Sequence, residues 1–186
     1  MASLSSSDER REVLRQIRSV IVTHLAGRTP APLPGAGALG RLAGAFVTLH
    51  VDGELRGCIG HPEADQPLAT VLSRCAIAAS SQDPRFPPLT VREIARAQVE
   101  VSLLGPIEAV DDVEEIDVGR HGLIVEQHGW QGLLLPQVAT EHGWDRRTFL
   151  AQTCVKAGLR PDAWRTGAKV FKFEAEVFGE TEDVRG

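Results

Sequence analysis

The chain has 186 residues, 42% of them hydrophobic and 24% charged, with a formal net charge of −5. This composition is that of a soluble globular protein able to bury a core, and its acidic balance argues against a nucleic-acid partner bound through phosphate neutralisation. No apolar run reaches the roughly 18 residues of a membrane span, and no signal-peptide pattern is present, so we expect a cytoplasmic protein with no membrane partner. Cys58, Cys75 and Cys154 lack a repeated spacing, which predicts free thiols.

The first predicted elements are a long helix and a loop. Ser6 and Glu9 form a capping box, and apolar residues recur at helical spacing to about residue 26. Residues 27–40 are rich in glycine, proline and alanine and predict a surface loop.

A β-hairpin is predicted next, from AFVTLHV and ELRGCIG joined by a turn at Asp52 and Gly53. If Val51 pairs with Glu54, the register places Cys58 opposite Val47 and Arg56 opposite Leu49. Both faces of this hairpin are largely apolar, which predicts a central position covered on both sides.

The rest of the chain alternates short helices with strands. A helix is predicted over 66–82, followed by a rigid proline-rich loop over 83–90, a short helix capped by Thr90 and Glu93, and a strand over 98–104. A second hairpin turning at His128 and Gly129 comes next, and then a surface loop over 135–144, a helix capped by Asp145 and a strand over 169–178. This pattern predicts an α+β fold with a mostly antiparallel sheet flanked by helices.

Arg56 lies on a largely apolar face and therefore needs an anionic partner, because an unpaired buried charge costs several kcal/mol, roughly the penalty for breaking a buried ion pair. The partner is either an internal carboxylate, for example Glu100 or Glu174, or the carboxylate or phosphate of a ligand.

Cys58 is either a small core residue or a reactive thiol. Gly57 and Gly60, on either side of it, indicate a bulge or the close approach of another backbone or a ligand. His61 is a weak partner for the thiol, because residues three apart on an extended chain point in opposite directions.

Further candidate residues lie elsewhere in the chain. Arg85, in the rigid loop, either holds a charge toward a cleft or ties the loop to carbonyls or to Asp83. Gln137 is a candidate ligand-binding residue, and His121 and Glu141 are candidate proton carriers. No close pairs of histidine and cysteine occur at zinc-site spacing, so we predict no metal site, and no cofactor is identified.

Seven segments resemble, in order and spacing, those of the AMMECR family, whose prokaryotic members are called AmmeMemoRadiSam system protein A. They are LRGCIG (55–60), DPRFPPL (83–89), VEVSLL (99–104), GRHGLIVE (119–126), GLLLPQVATEHGW (132–144), CVKAGLRPDAW (154–164) and KVFKFEAEVF (169–178). The resemblance covers nearly the whole chain and implies a single AMMECR-type domain over 1–186.

The resemblance also implies properties that the residues alone do not. It implies two unequal lobes with both termini in the larger, and a cleft lined by the LRGCIG segment. It further implies a pathway shared with a Memo-like protein and a radical S-adenosylmethionine enzyme. It implies no particular reaction or substrate.

Two hypotheses follow. In the first, the protein binds a ligand or a partner in a cleft lined by the LRGCIG strand and performs no chemistry. In the second, it is an enzyme for a small anionic substrate, with Cys58 as nucleophile, Arg56 and Arg85 as the anion clamp, and His121 or Glu141 as proton carrier. The absence of triad-like spacing favours the first.

Overall fold

The computed structural model describes residues 4 and 6–180, and within them an α+β fold. The elements are α1 (Ser7–Leu25), β1 (Ala45–Val51), β2 (Glu54–His61), α2 (Leu68–Ser81), α3 (Val91–Ile94), β3 (Ala97–Leu104), β4 (Glu108–Ala109), β5 (His121–Gln127), β6 (Trp130–Leu134), α4 (Pro136–Glu141), α5 (Arg146–Lys156) and β7 (Lys169–Gly179). The strand pairs described below are antiparallel, which confirms the predicted fold class.

The N-terminal helix forms as its sequence predicts. The Ser6 hydroxyl accepts a hydrogen bond from the Glu9 N–H, and the Glu9 carboxylate accepts one from the Ser6 N–H. This capping box satisfies backbone donors that the first helical turn leaves unpaired. One stripe of the helix is buried, comprising Val13, Leu14, Ile17, Val20 and Ile21.

The chain divides into two compact units, the first of which comprises Met1–Leu103 and Glu176–Gly186. Its central strand β1 pairs with β2 on one side and β3 on the other. Helix α2 packs against β1 and β2, and α1 packs against α2. The core between these helices and strands includes Ile17, Val47 and Leu72, each at most 1% exposed.

The second unit comprises Leu104–Ala175. Its central strand β5 pairs with β6 and β7, and β7 also pairs with the short β4. Helix α5 packs against β5 and β6, and α4 packs against β5. The core of this unit includes Leu123, Phe149 and Leu150, which are fully buried.

The register of the first hairpin differs from the prediction. Asp52 and Gly53 have φ angles of 54° and 88°, as a tight two-residue turn requires, and Val51 pairs with Glu54 as expected. A bulge then follows, after which Gly57 pairs with Leu49 and Cys58 pairs with Thr48. The predicted pairs of Cys58 with Val47 and Arg56 with Leu49 are therefore wrong, because Arg56 is the extra residue of the bulge.

Two predicted loops contain helical turns. Residues 135–144 include α4, which begins at Pro136, where proline loses no hydrogen bond because the first N–H of a helix has no intrahelical acceptor. Residues 27–40 end in a turn of 3-10 helix, Gly37–Gly40, and this segment buries Leu33 and Leu39 in the core of the first unit.

A transmembrane helix was not found among residues 4 and 6–180, where every helix is too short or too polar to cross a bilayer.

Candidate functional site

Arg56 ties the LRGCIG strand to the proline-rich loop. Its Nε donates to Glu93 Oε1 at 3.0 Å, and its Nη1 donates to the Pro87 carbonyl at 2.7 Å. A longer bond of 3.4 Å runs from Nη2 to the Pro88 carbonyl, and the side chain is 17% exposed. The carboxylate that pairs with Arg56 is therefore Glu93, and not Glu100 or Glu174, which the sequence suggested. The guanidinium is compensated within the chain.

The two glycines of the strand allow close packing. A Cβ atom on Gly57 would lie 2.1 Å from the Ala79 carbonyl oxygen, so a side chain there would push α2 away from the strand. A Cβ atom on Gly60 would lie 2.2 Å from the Phe46 ring. Both positions thus serve the close internal approach that glycine in a strand indicates.

The main chain of Cys58 is capped by two residues of the proline-rich loop. The Cys58 N–H donates to Asp83 Oδ2 at 2.9 Å, and Arg85 Nη2 donates to the Cys58 carbonyl at 3.3 Å. Strand β2 lies at an edge of the first unit's sheet, because its partner β1 continues on to β3. Asp83 and Arg85 supply the acceptor and donor that a further strand would supply, which protects the edge.

Asp83 and Arg85 form a bidentate pair. Arg85 Nε donates to Asp83 Oδ1 at 3.0 Å and Nη2 donates to Oδ2 at 2.7 Å. The Asp83 side chain is 2% exposed, whereas that of Arg85 is 47% exposed. The hydrogen bonds from Arg85 hold the pKa of Asp83 well below its usual range. Arg85 is thus tied both to Asp83 and to the Cys58 carbonyl, while nearly half of its side chain stays exposed.

Cys58 is partly buried, and its thiol has one hydrogen-bond donor beside it. Thr48 Oγ1 donates a hydrogen bond to Cys58 Sγ at 3.3 Å, across neighbouring strands. Burial raises the pKa of the thiol, although the Thr48 hydrogen bond and the Arg85 charge act in the opposite direction. The reactive thiolate is therefore scarce at neutral pH.

His61, the residue that follows the LRGCIG segment, has its ring beside carboxylates. Nε2 lies 2.6 Å from Asp65 Oδ1, and Nδ1 lies 3.4 Å from Glu63 Oε2. This arrangement agrees with the expectation that His61 is a weak partner for the thiol.

Three candidate residues belong to the second unit. His121 begins β5 and is buried, and its Nδ1 accepts a hydrogen bond from the Asp117 N–H at 3.0 Å. Gln137 and Glu141 lie on α4, where Glu141 is exposed and Gln137 Oε1 is buried without a partner among the described residues.

A groove runs between the edge strand β2 and helix α2, entirely within the first unit. Its volume is about 290 Å³. We call it the β2–α2 groove and define it by Ile59, Gly60 and His61 of the strand, Arg74 and Ala78 of the helix, and Gln82 beyond the end of the helix. A cavity of this size lies near the lower end of the range for small-molecule sites.

The lining of the β2–α2 groove combines polar and apolar groups. Ile59 and Ile77 provide apolar surface. Arg74 donates through Nη1 to Gln66 Oε1 at 2.9 Å. Cys75 contributes a neutral wall, because burial raises the pKa of its thiol to about 11. Such a mixture suits a small ligand with one polar end.

The sequence pattern of α2 contains a signal for this groove. Arg74, Ala78 and Gln82 recur every four residues, so they share one face of the helix outside its apolar stripe. The packing of that face against β2 is a contact between elements that are distant in sequence, so the pattern alone did not show that these residues line a groove. Glu93 was missed as the partner of Arg56, since it was assigned only to a helix cap, and Asp83 was expected to pair with Arg85 but not to accept a hydrogen bond from the Cys58 N–H.

Among residues 4 and 6–180, no three histidine, cysteine or acidic side chains converge in a way that would hold a metal ion.

Comparison with known proteins identifies relatives over most of the chain. The AMMECR1 family model matches residues 14–178. Protein MJ0810 of Methanocaldococcus jannaschii is 45% identical over 91% of this chain and 89% of its own, and protein MK0488 of Methanopyrus kandleri is 44% identical over 91% and 87%. The crystal structure of protein PH0010 from Pyrococcus horikoshii matches with a TM-score of 0.86 and 42% identity, covering 91% of this chain and 90% of that one. The chain belongs to the AMMECR1 family.

Proposed function

We propose that this protein binds a small molecule in the β2–α2 groove, in a cytoplasmic pathway that includes a Memo-like protein and a radical S-adenosylmethionine enzyme. The observation that carries the ligand-binding part is the groove itself, because one wall consists of Ile59 and Gly60 of the LRGCIG strand. The family resemblance alone supports the pathway.

The residues of the LRGCIG strand differ in whether they contact the protein interior or border the groove, and this difference supports the proposal. Arg56, Gly57 and Cys58 make their contacts within the protein, through Glu93, Ala79 and Asp83 respectively. We assign these residues, together with Arg85, to the frame that fixes the position of the strand. The last residues of the strand are those that border an open cavity.

We do not favour the alternative of a cysteine nucleophile. Cys58 is partly exposed, but burial raises the pKa of its thiol, whereas nucleophilic cysteines have a lowered pKa. Rapid alkylation of Cys58 at neutral pH would reverse this preference. The assignments of His121 and Glu141 as proton carriers and of Gln137 as a ligand-binding residue remain predictions.

The proposal is tested by a fragment screen monitored by amide NMR spectra of the whole chain. We expect binding fragments to shift the amide signals of Gly60, His61 and Gln82, which surround the groove. Ala78→Trp should abolish these shifts by filling the cavity, while Ala95→Trp, at an exposed position outside it, should not. Fragments whose binding is unaffected by Ala78→Trp would place the ligand site elsewhere and contradict the proposal.

A further inference from the structure

The edge of strand β2 is protected at one residue and open two residues later. The N–H and C=O of Cys58 both point away from β1, because they bond to Asp83 and Arg85. In an antiparallel strand this direction alternates, so the N–H and C=O of Gly60 also point away from β1. In the part of the chain that the structure describes, no group forms a hydrogen bond with Gly60 at this edge. Gly60 therefore presents a free donor and a free acceptor beside the β2–α2 groove.

The opposite wall of the groove presents a partly free guanidinium. Arg74 uses Nη1 to bond Gln66, and within residues 4 and 6–180 its Nε and Nη2 have no acceptor. These two N–H groups form the side of the guanidinium fork that binds carboxylates in a bidentate manner. The carboxylates of Glu63 and Asp65 lie beside the His61 ring. An anionic ligand group therefore belongs on the Arg74 side of the groove.

The free backbone groups of Gly60 and the free N–H groups of Arg74 indicate the class of ligand. The inference rests on the proposed function. We propose that the β2–α2 groove binds a small carboxylic acid that carries one amide group, as in an N-acyl amino acid. The carboxylate pairs with Arg74, and the amide extends the sheet by one residue at Gly60, as an added strand would. An apolar side chain on the ligand packs against Ile59 and Ile77.

The length of the open edge limits the size of the ligand. Since Cys58 is already capped by Asp83 and Arg85, a long extended peptide has no room to pair along the strand in that direction. The volume of about 290 Å³ sets the same limit, because the cavities that bind drug-sized ligands begin at this size. One amide and one short apolar side chain match both restrictions.

The inference is tested with N-acetyl-L-leucine as the probe and the whole chain as the receptor. Its affinity and its amide shifts at Gly60 are measured beside those of three analogues. N-Acetyl-L-leucinamide removes the carboxylate, 4-methylpentanoic acid removes the amide group, and N-acetyl-N-methyl-L-leucine removes the amide N–H. Arg74→Gln removes the charged fork, and Arg92→Gln, at an exposed position on α3, is the matched control.

We expect each change to the ligand, and Arg74→Gln, to weaken binding about tenfold or more, because each removes hydrogen bonds that the proposed geometry makes. Arg92→Gln should bind as the wild type does. Equal affinity for the acid and its amide would overturn the carboxylate assignment, and equal affinity for the N-methyl analogue would overturn the edge pairing. Neutral fragments that bind at Gly60 when N-acetyl-L-leucine does not would overturn the inference but leave the proposed function standing. If no compound shifts the groove amides, both fail.

Discussion

The buried carboxylate of Asp83 joins the proline-rich loop to the edge strand β2. It accepts hydrogen bonds from the Cys58 N–H at 2.9 Å and from the Arg85 N–H at 3.1 Å, and it receives both arms of the Arg85 guanidinium. A carboxylate with a side chain only 2% exposed is stable as an anion because these four donors replace its hydration. Asp83 thereby links the proline-rich loop to the edge of the LRGCIG strand.

We expect Asp83→Asn to destabilise the protein by about 1–2 kcal/mol at pH 7, since an amide keeps one acceptor but loses the charge-assisted fork, and the half-exposed Arg85 limits the loss. The effect should depend on pH. The pKa of Asp83 is lowered by folding, so its contribution to stability is complete above the unfolded value of about 3.9 and declines as the pH falls through that value toward the folded pKa.

Urea unfolding at pH 7 and at about pH 3 would measure this difference, with the exposed Asp111→Asn as control. The gap in unfolding free energy between wild type and Asp83→Asn should narrow at the lower pH. A gap that is constant or wider at low pH would show that the Asp83–Arg85 pair does not stabilise the folded state.

At the level of elements, the contact between β2 and α2 sets the geometry of the groove. Gly57 pairs with Leu49 directly after the bulge and lets the Ala79 main chain of α2 approach the strand. The same helix then carries Arg74 and Ala78 along the edge of the strand to form the opposite wall. The distance between helix and strand therefore decides both the packing of the first unit and the width of the groove.

Gly57→Ala should destabilise the protein by about 1–3 kcal/mol or more, because the new methyl group would lie 2.1 Å from a backbone oxygen that cannot rotate away. It should also alter the amide signals of Gly60 and Gln82 as the groove widens. Gly35→Ala is the matched control, since a Cβ atom there has no atom within 4 Å and the backbone needs no positive φ. Similar urea midpoints for the two variants would contradict the close approach.

At the scale of the whole molecule, local patterns predicted the elements well and tertiary partners poorly. The turn at Asp52 and Gly53 was predictable because two adjacent residues with positive φ have a strong sequence preference. The bulge at Arg56 was not, since the one-residue offset that a bulge introduces cannot be detected in a strand whose two faces are both largely apolar. Helix α4 was missed because residues 135–144 were interpreted as a surface loop, although a proline such as Pro136 also begins helices.

The candidate site was harder to predict than the elements, because it depends on contacts between segments that are distant in sequence. The LRGCIG segment was predicted to matter, but the partner of Arg56 lies 37 residues away at Glu93. The groove requires α2 to lie against one end of β2, and no local pattern specifies that contact. The stripe of Arg74, Ala78 and Gln82 can be recognised as the wall of a groove only once β2 is known to lie opposite it.

The protection of backbone amides from hydrogen exchange should follow the strand order of each unit. Central strands β1 and β5 have partners on both sides, and their residues Val47 and Val125 are fully buried, so we expect their amides to exchange slowest. Within the edge strand β2 the amide of Cys58, bonded to Asp83, should exchange far more slowly than the amide of Gly60, although the two are only two residues apart. Amide exchange measured by NMR in the wild type and in Asp83→Asn tests whether the Asp83 hydrogen bond protects Cys58. The substitution should increase the exchange rate of the Cys58 amide and leave that of the Gly60 amide unchanged. Equal protection of the two amides in the wild type would mean that Gly60 has a partner, and the edge would then be closed to a ligand.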